Sequence, residues 1–223
     1  MKYLGVLFDL DGTLLDTIDD IETAMNRVLS DHGFPLHSAG EYREMVGWGL
    51  TELVRRALPK EYAVGKKIRQ CSEDMKRYYA EKPVERTKPF PGIVPMLDAL
   101  SEMDVKIGIL SNKADSIVEQ VVEKVFADRR FHSVRGLRDD VPRKPDPAGA
   151  FHGAREMEAD PRHILYIGDS DVDMETAINA GMFPAGVSWG YRSPEMLRRH
   201  GAEIIFDTPE EITKFIKGAN NNG

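Results

Sequence analysis

The sequence predicts an α/β fold: a doubly wound parallel sheet with a Rossmann-like core and an inserted helical cap domain. Three observations predict it. Short apolar runs that barely alternate recur along the chain, segments of helical period separate them, and one long block after the first run is helical throughout. Near-continuous apolar runs fit strands buried on both faces of a parallel sheet. Strand and helix alternation then gives the double winding.

Taken in order, the first strand is expected over Leu4-Gly5-Val6-Leu7-Phe8. From Asp16 to about Pro83 there is no strand pattern. Ile18, Ile21, Met25, Val28 and Leu29 form a helical stripe that stops at Gly33 and Pro35. Leu50, Leu53, Val54, Ala57 and Leu58 form a second stripe, and Ile68, Cys71, Met75, Tyr78 and Tyr79 a third. This block, residues 16–83, is the expected cap, inserted into a core of residues 1–15 and 84–223. Pro83 to Pro91, with its three prolines, is the expected return hinge. Val105 to Leu110 and Ile164 to Ile167 are the next strong strands, with weaker ones near Phe131–Val134, Phe183–Val187 and Glu203–Ile205. Between them Ile117, Val121, Val122 and Val125 make one helical face, and Met174, Ala177 and Ile178 another. Gly218 to Gly223 reads as a polar, disordered tail.

Composition narrows the class. The chain has 223 residues, of which 41% are hydrophobic and 30% charged, as in a packed globular protein. Its 37 acidic and 30 basic residues leave −7, which argues against nucleic acid or anionic membrane as partner, since both are held through clustered Lys and Arg. A small anionic ligand stays open, because a bound cation reverses the local field. Cys71 is the single cysteine, so no intramolecular disulfide forms. No stretch approaches the roughly 20 apolar residues of a membrane helix. The expectation is a cytoplasmic protein, monomer or homodimer.

The chemistry lies just beyond the end of each strand. Ligands of open α/β sheets bind at the carboxyl ends of the strands. Asp9-Leu10-Asp11-Gly12-Thr13 comes after the first, Ser111-Asn112 after the second, and Gly168-Asp169-Ser170-Asp171-Val172-Asp173 after the third, with Lys144 in a loop between the last two groups. If these strands are parallel neighbours, all three groups meet. Carboxylates gathered in this way repel one another unless a cation lies among them, and oxygen-only ligands favour a hard ion such as Mg²⁺. Such an ion lets a carboxylate attack a phosphoryl group. Asp9 is the candidate nucleophile. Asp11 is the candidate acid and base. Ser111 and Asn112 are candidate phosphate-binding residues, and Lys144 a candidate counter-charge to the phosphoryl oxygens.

These stretches resemble the four motifs of the haloacid dehalogenase-like hydrolase superfamily, in order: Asp9 to Thr17, Ser111-Asn112, Lys144-Pro145, and Gly168 to Asp173. A helical insert between the first two is that superfamily's first cap type. The resemblance implies that Asp9, Asp169 and the Asp11 carbonyl hold the metal and that Asp173 orients water on it. Met45-Val46-Gly47-Trp48-Gly49, Gly136 to Pro142 and Lys144-Pro145-Asp146-Pro147 are most similar to the phosphoglycolate phosphatases. That similarity implies a small phosphorylated metabolite as substrate, 2-phosphoglycolate first. Pyrophosphatase, sugar or nucleotide phosphatase and phosphosugar mutase are the enzymatic alternatives, and a catalytically silent regulatory protein the other. Trp48 departs from the group's pattern between two cap glycines.

Other readings are weaker. An EF-hand fails because Thr13 replaces a ligand and a strand precedes the loop, and a receiver-type signalling domain would be shorter and uncapped. Asp171 reads as a helix-cap charge, and Asp16, Asp19 and Asp20 as first-turn charges. Cys71 reads as core. Arg43, Arg55 and Arg56 read as solvated helix charges.

Overall fold

The computed structural model describes residues 2–82 and 84–221. In chain order, β1 (Gly5–Phe8) leads through a two-residue strand, β2 (Leu15–Asp16), into four helices: α1 (Ile18–Asp31), α2 (Ala39–Met45), α3 (Leu50–Ala57) and α4 (Gly65–Glu81). The chain returns through β3 (Lys88–Pro89), antiparallel to β2. It then alternates through α5 (Ile93–Glu102), β4 (Lys106–Ala114), α6 (Asp115–Val125), β5 (Ser133–Leu137), α7 (Ala148–Glu156) and β6 (Ile164–Gly168). The last elements are α8 (Asp171–Ala180), β7 (Phe183–Val187), α9 (Pro194–Arg199), β8 (Ile204–Phe206) and α10 (Pro209–Asn221).

The main sheet runs β5-β4-β1-β6-β7-β8, all parallel. Side chains of β1 alternate between its faces. Val6 and Phe8 pack with Leu97, Val118, Val121 and Ile212 of α5, α6 and α10, whereas Leu7 packs with Ala150, Ala154 and Ala177 of α7 and α8. Both faces are covered, which is why the strand runs read as continuously apolar. The chain builds outward from β1 through β4 and β5 on one side, then crosses back to β6, β7 and β8 on the other, so a crevice opens at the carboxyl end of β1. The three motif-bearing strands are thus parallel neighbours, as the functional reading required.

Helices α1 to α4 have an apolar cluster of their own, built from residues such as Met25, Val28, Leu53, Cys71 and Met75. Helix α2 is not among the expected elements. It buries only Tyr42 and so carries no apolar period, and what holds its start is a reciprocal capping box between Ser38 and Glu41. The short β2–β3 ribbon, where the chain leaves and re-enters the sheet domain, also lay below the reach of the pattern. Pro83, the start of the expected hinge, lies outside the described residues.

Five expectations need correction. Asp16 is not a first-turn helix charge: it lies in β2, opposite Lys88, ahead of α1. Asp20 is no solvated first-turn charge: it is buried and accepts hydrogen bonds from the amides of Glu85, Arg86 and Thr87 and the Thr87 hydroxyl. It therefore pins the returning chain to the departing helix. Gly218 to Asn221 is not a disordered tail, because α10 continues through it on the period Ile212, Phe215, Ile216 and Ala219. Its Asn220 amide bonds both backbone groups of Tyr3, while Asn222 and Gly223 lie outside the described residues. Ile178 is 51% exposed and leaves the buried face of α8 to Met174 and Ala177. Strand β5 starts two residues beyond the expected Phe131, and Gly136 within it accepts the close approach of the Asp115 backbone.

Candidate active site

Asp9 is the first residue beyond β1, yet its amide still donates to the Ile167 carbonyl of β6 at 2.9 Å, so the sheet fixes its backbone. Lys144 reaches it from the loop after β5. That loop is held by Asn112, whose amide group accepts from the Lys144 N–H at 2.9 Å and donates to the Lys144 carbonyl at 3.2 Å. The Lys144 ammonium has three protons and three partners: Asp9 Oδ1 at 2.7 Å, Asp173 Oδ1 at 2.6 Å and the Leu110 carbonyl at 3.1 Å. Far from being a solvated loop lysine, it is 4% exposed.

Asp173 lies in the first turn of α8. Its Oδ2 accepts from the Ser170 amide and hydroxyl in a reciprocal capping box, leaving Oδ1 for Lys144. Asp171, on the same turn, is a first-turn residue as expected. Asp169 accepts from the Thr13 hydroxyl at 3.2 Å and the Tyr191 amide at 2.7 Å. Glycine is required on both sides of it: a Cβ at Gly12 or Gly190 would overlap the Asp169 side chain, and Gly12 also has φ +91.

Ligand oxygens of Asp9, Asp169 and Asp173 all lie within 4.8 Å of one another. Burial pushes the Asp9 carboxyl well above its usual range, with the Asp173 charge adding to it and Lys144 opposing. Burial, then the Asp173 charge, pushes Asp169 up to about 7. Burial would lower the Lys144 pKa, but Asp173 and Asp9 outweigh it and hold the ammonium charged. One ammonium does not neutralise three carboxylates, and all the donors are hard oxygens. The residues therefore fit a divalent, oxygen-seeking cation.

The Asp11 carboxylate points elsewhere, with Oδ1 2.7 Å from the ammonium of Lys113. Ser111 is buried beside it, its hydroxyl accepting from the Lys113 amide at 3.1 Å. Asn112 lines the same cleft, but its side chain is engaged in holding Lys144 and, through Nδ2, the Gly47 carbonyl at 3.0 Å. Two arginines complete this grip on the helical insert. Arg143 donates to the Trp48 carbonyl at 3.1 Å, and Arg192 to the carbonyls of Val46 at 3.0 Å, Glu44 at 3.3 Å and Arg43. Between core and insert lies a cleft of about 100 Å³ that opens to solvent. Asp9, Asp11 and Ser111 line one side, and Val46, Leu53 and Tyr79 the other. The Trp48 ring does not line it and lies instead near the Arg143 guanidinium, 5.9 Å from its centroid.

Four residues of this region escaped sequence reasoning. Lys113 directly follows the Ser111-Asn112 pair, and that adjacency was its only signal. Tyr79 fell within an apolar helical stripe, where periodicity marks the inward face but not a polar tip. Tyr191 and Arg192 follow β7, so the strand-end rule that found Asp9 could have found them.

A parallel sheet with an acidic crevice at its central strand and a helical insert over it defines a doubly wound α/β protein with a strand-end site. The chain belongs to the haloacid dehalogenase-like hydrolases, whose family model matches residues 6–187. It is 31% identical over 217 residues to a phosphoglycolate phosphatase of Pseudomonas savastanoi pv. phaseolicola, covering 96% of this chain and 78% of the relative. It is 30% identical over 215 residues to the N-acetylmuramic acid 6-phosphate phosphatase of Pseudomonas aeruginosa, covering 95% and 94%. Among solved structures, a candidate phosphoglycolate phosphatase from Lactobacillus delbrueckii subsp. bulgaricus superposes with a TM-score of 0.91 at 30% identity, covering 97% of this chain and 99% of that one. No helix among the described residues is long and apolar enough to cross a membrane.

Proposed function

We propose that this phosphoric monoester hydrolase is a Mg²⁺-dependent phosphatase that works through an aspartyl-phosphate on Asp9, with 2-phosphoglycolate the leading substrate. The observation that carries the reading is the cluster of three buried carboxylates, two of them bonded to one buried lysine, at the ends of adjacent parallel strands. Asp9, Asp169 and the Asp11 carbonyl would hold the metal, with Asp173 beside them. When bound, the ion screens the charge between an attacking carboxylate and a phosphoryl group.

The chain's own residues divide the rest. A carboxylate oxygen of Asp9 forms a bond to phosphorus as the bond to the leaving oxygen breaks, and Asp11 gives that oxygen its proton. A water oxygen then attacks phosphorus, passes its proton to Asp11, and the bond to Asp9 breaks to release phosphate. Lys144 favours the ionised form of Asp9, orients it and offsets charge on the phosphoryl oxygens, and Ser111 donates to one of them. In the same reading, residues 16–83 form a cap domain over a core of residues 1–15 and 84–223, and its closure excludes bulk water.

Phosphate release from a panel of phosphate monoesters and pyrophosphate, with Mg²⁺ and with chelator, tests this. Preference for 2-phosphoglycolate that disappears with chelator is the expected result. Activity that survives chelation would overturn the metal's role. The relative that acts on N-acetylmuramic acid 6-phosphate supports a second reading, a sugar phosphate substrate, so the panel includes that ester.

A further inference from the structure

The cleft contains a buried polar group that the proposed chemistry leaves unused. The Tyr79 side chain, from the insert, is 6% exposed and lines the cleft opposite Asp9. Its hydroxyl has no hydrogen-bond partner among the described residues, which is an unfavourable state for a buried donor. Burial raises the phenol's pKa against the pull of the Lys113 charge, so the hydroxyl meets a ligand as a donor. The Lys113 ammonium lies over the same ring, 4.8 Å from its centroid. Its one hydrogen-bond partner among the described residues is Asp11, which leaves two ammonium protons over. The Tyr79 hydroxyl and the remaining Lys113 protons thus face one volume, in which the Asp11 carboxylate is an acceptor already bonded to Lys113. The wall around them is apolar, formed by Val46, Leu53 and Met75, with the exposed Lys76 at the rim.

We propose that Tyr79 and Lys113 form the specificity pocket for the leaving part of the substrate, and that this pocket selects a short phosphate ester bearing a carboxylate. The assignment rests on the phosphatase reading of the cleft and names the group that reading leaves open. A carboxylate supplies acceptors to both donors, whereas the hydroxyls of a sugar would meet mostly apolar wall and lose hydrogen bonds to water. Asp9 and Lys144 engage the phosphoryl end. Tyr79 and Lys113 then read the opposite end, which decides among esters sharing the same reactive group.

The experiment compares 2-phosphoglycolate with ethyl phosphate, in which a methyl group replaces the carboxyl. Steady-state kinetics are measured for the wild type and Tyr79→Phe, and calorimetric binding of both esters is measured in an Asp9→Asn background, with and without Tyr79→Phe. The wild type is expected to prefer 2-phosphoglycolate, and Tyr79→Phe to cut that preference about 10-fold, mainly through KM, as for loss of one charge-assisted hydrogen bond. Lys113→Gln is expected to reduce the same ratio. A wild type without preference, or a Tyr79→Phe variant that slows both esters equally, would overturn the pocket, since a packing role does not discriminate between them. Should neither ester be hydrolysed while calorimetry still registers a carboxylate preference that Tyr79→Phe removes, the phosphatase reading fails and the pocket stands.

Discussion

The two walls of the cleft are built on opposite plans. On the sheet side every acidic or basic group of the catalytic cluster is tied to another side chain or to a fixed amide: Lys144 to two carboxylates, Asp173 to its own helix cap, Asp169 to Thr13 and Tyr191. On the insert side the wall is apolar, and the core grips it through backbone carbonyls of residues 43–48. Chemistry therefore depends on side-chain identity in the sheet, and the position of the insert on a loop held by its backbone, with Tyr79 and Lys113 the polar groups that face the ligand between them. Substitutions in the first region are expected to remove catalysis, and substitutions in the second to change which ester is accepted.

The contrast can be broken at four points. Asp9→Asn removes the proposed nucleophile while keeping the side chain's volume, so turnover is expected to fall about 10⁴-fold or more with the fold intact, read by phosphate release alongside circular dichroism. Asp20→Ala leaves the amides of Glu85, Arg86 and Thr87 without their acceptor and is expected to cost about 3 kcal/mol of stability, measured by urea unfolding. A smaller effect is expected from pH. The Asp169 pKa is about 7 in the folded protein against 3.8 for the free group, so between those values the native state binds more protons than the unfolded one. Stability of the metal-free protein should therefore fall as pH rises from about 4 to about 7. A drop in Tm across that window, reversed by Mg²⁺ more strongly at pH 8 than at pH 5, would be seen by scanning calorimetry. Last, Arg55→Ala on the insert surface removes an exposed pair with Glu52 and is expected to change stability by less than about 0.5 kcal/mol. A large effect there would contradict the division between the two walls.

Much of the sheet side was legible in the sequence because its logic is local. A buried strand followed at once by Asp9 and Asp11, or by Asp169 and Asp173, announces a strand-end site without any tertiary information. Asp20 was misread because its partners lie across the insert, at Glu85 to Thr87, and nothing near it in sequence marks a carboxylate as an anchor. Tyr79 was legible as buried but not as polar-tipped toward a cleft, since helical period reports a direction and not what waits there. The ordered end of α10 was misread from composition: Asn220 and Gly218 are polar or small, yet Ile216 and Ala219 carry the stripe through them.

The central place of β1 has a consequence for how the molecule comes to be made. Gly5 is synthesised well before its neighbours in the sheet, Lys106 and Ile164. Asp9 cannot meet Asp169 or Asp173 until most of the chain has left the ribosome. The helices from Ile18 to Glu81 have an apolar cluster of their own and can collect it while β1 still waits. The carboxylate cluster is thus among the last parts to assemble, so a prematurely ended chain would carry Asp9 without the partners that complete the cluster.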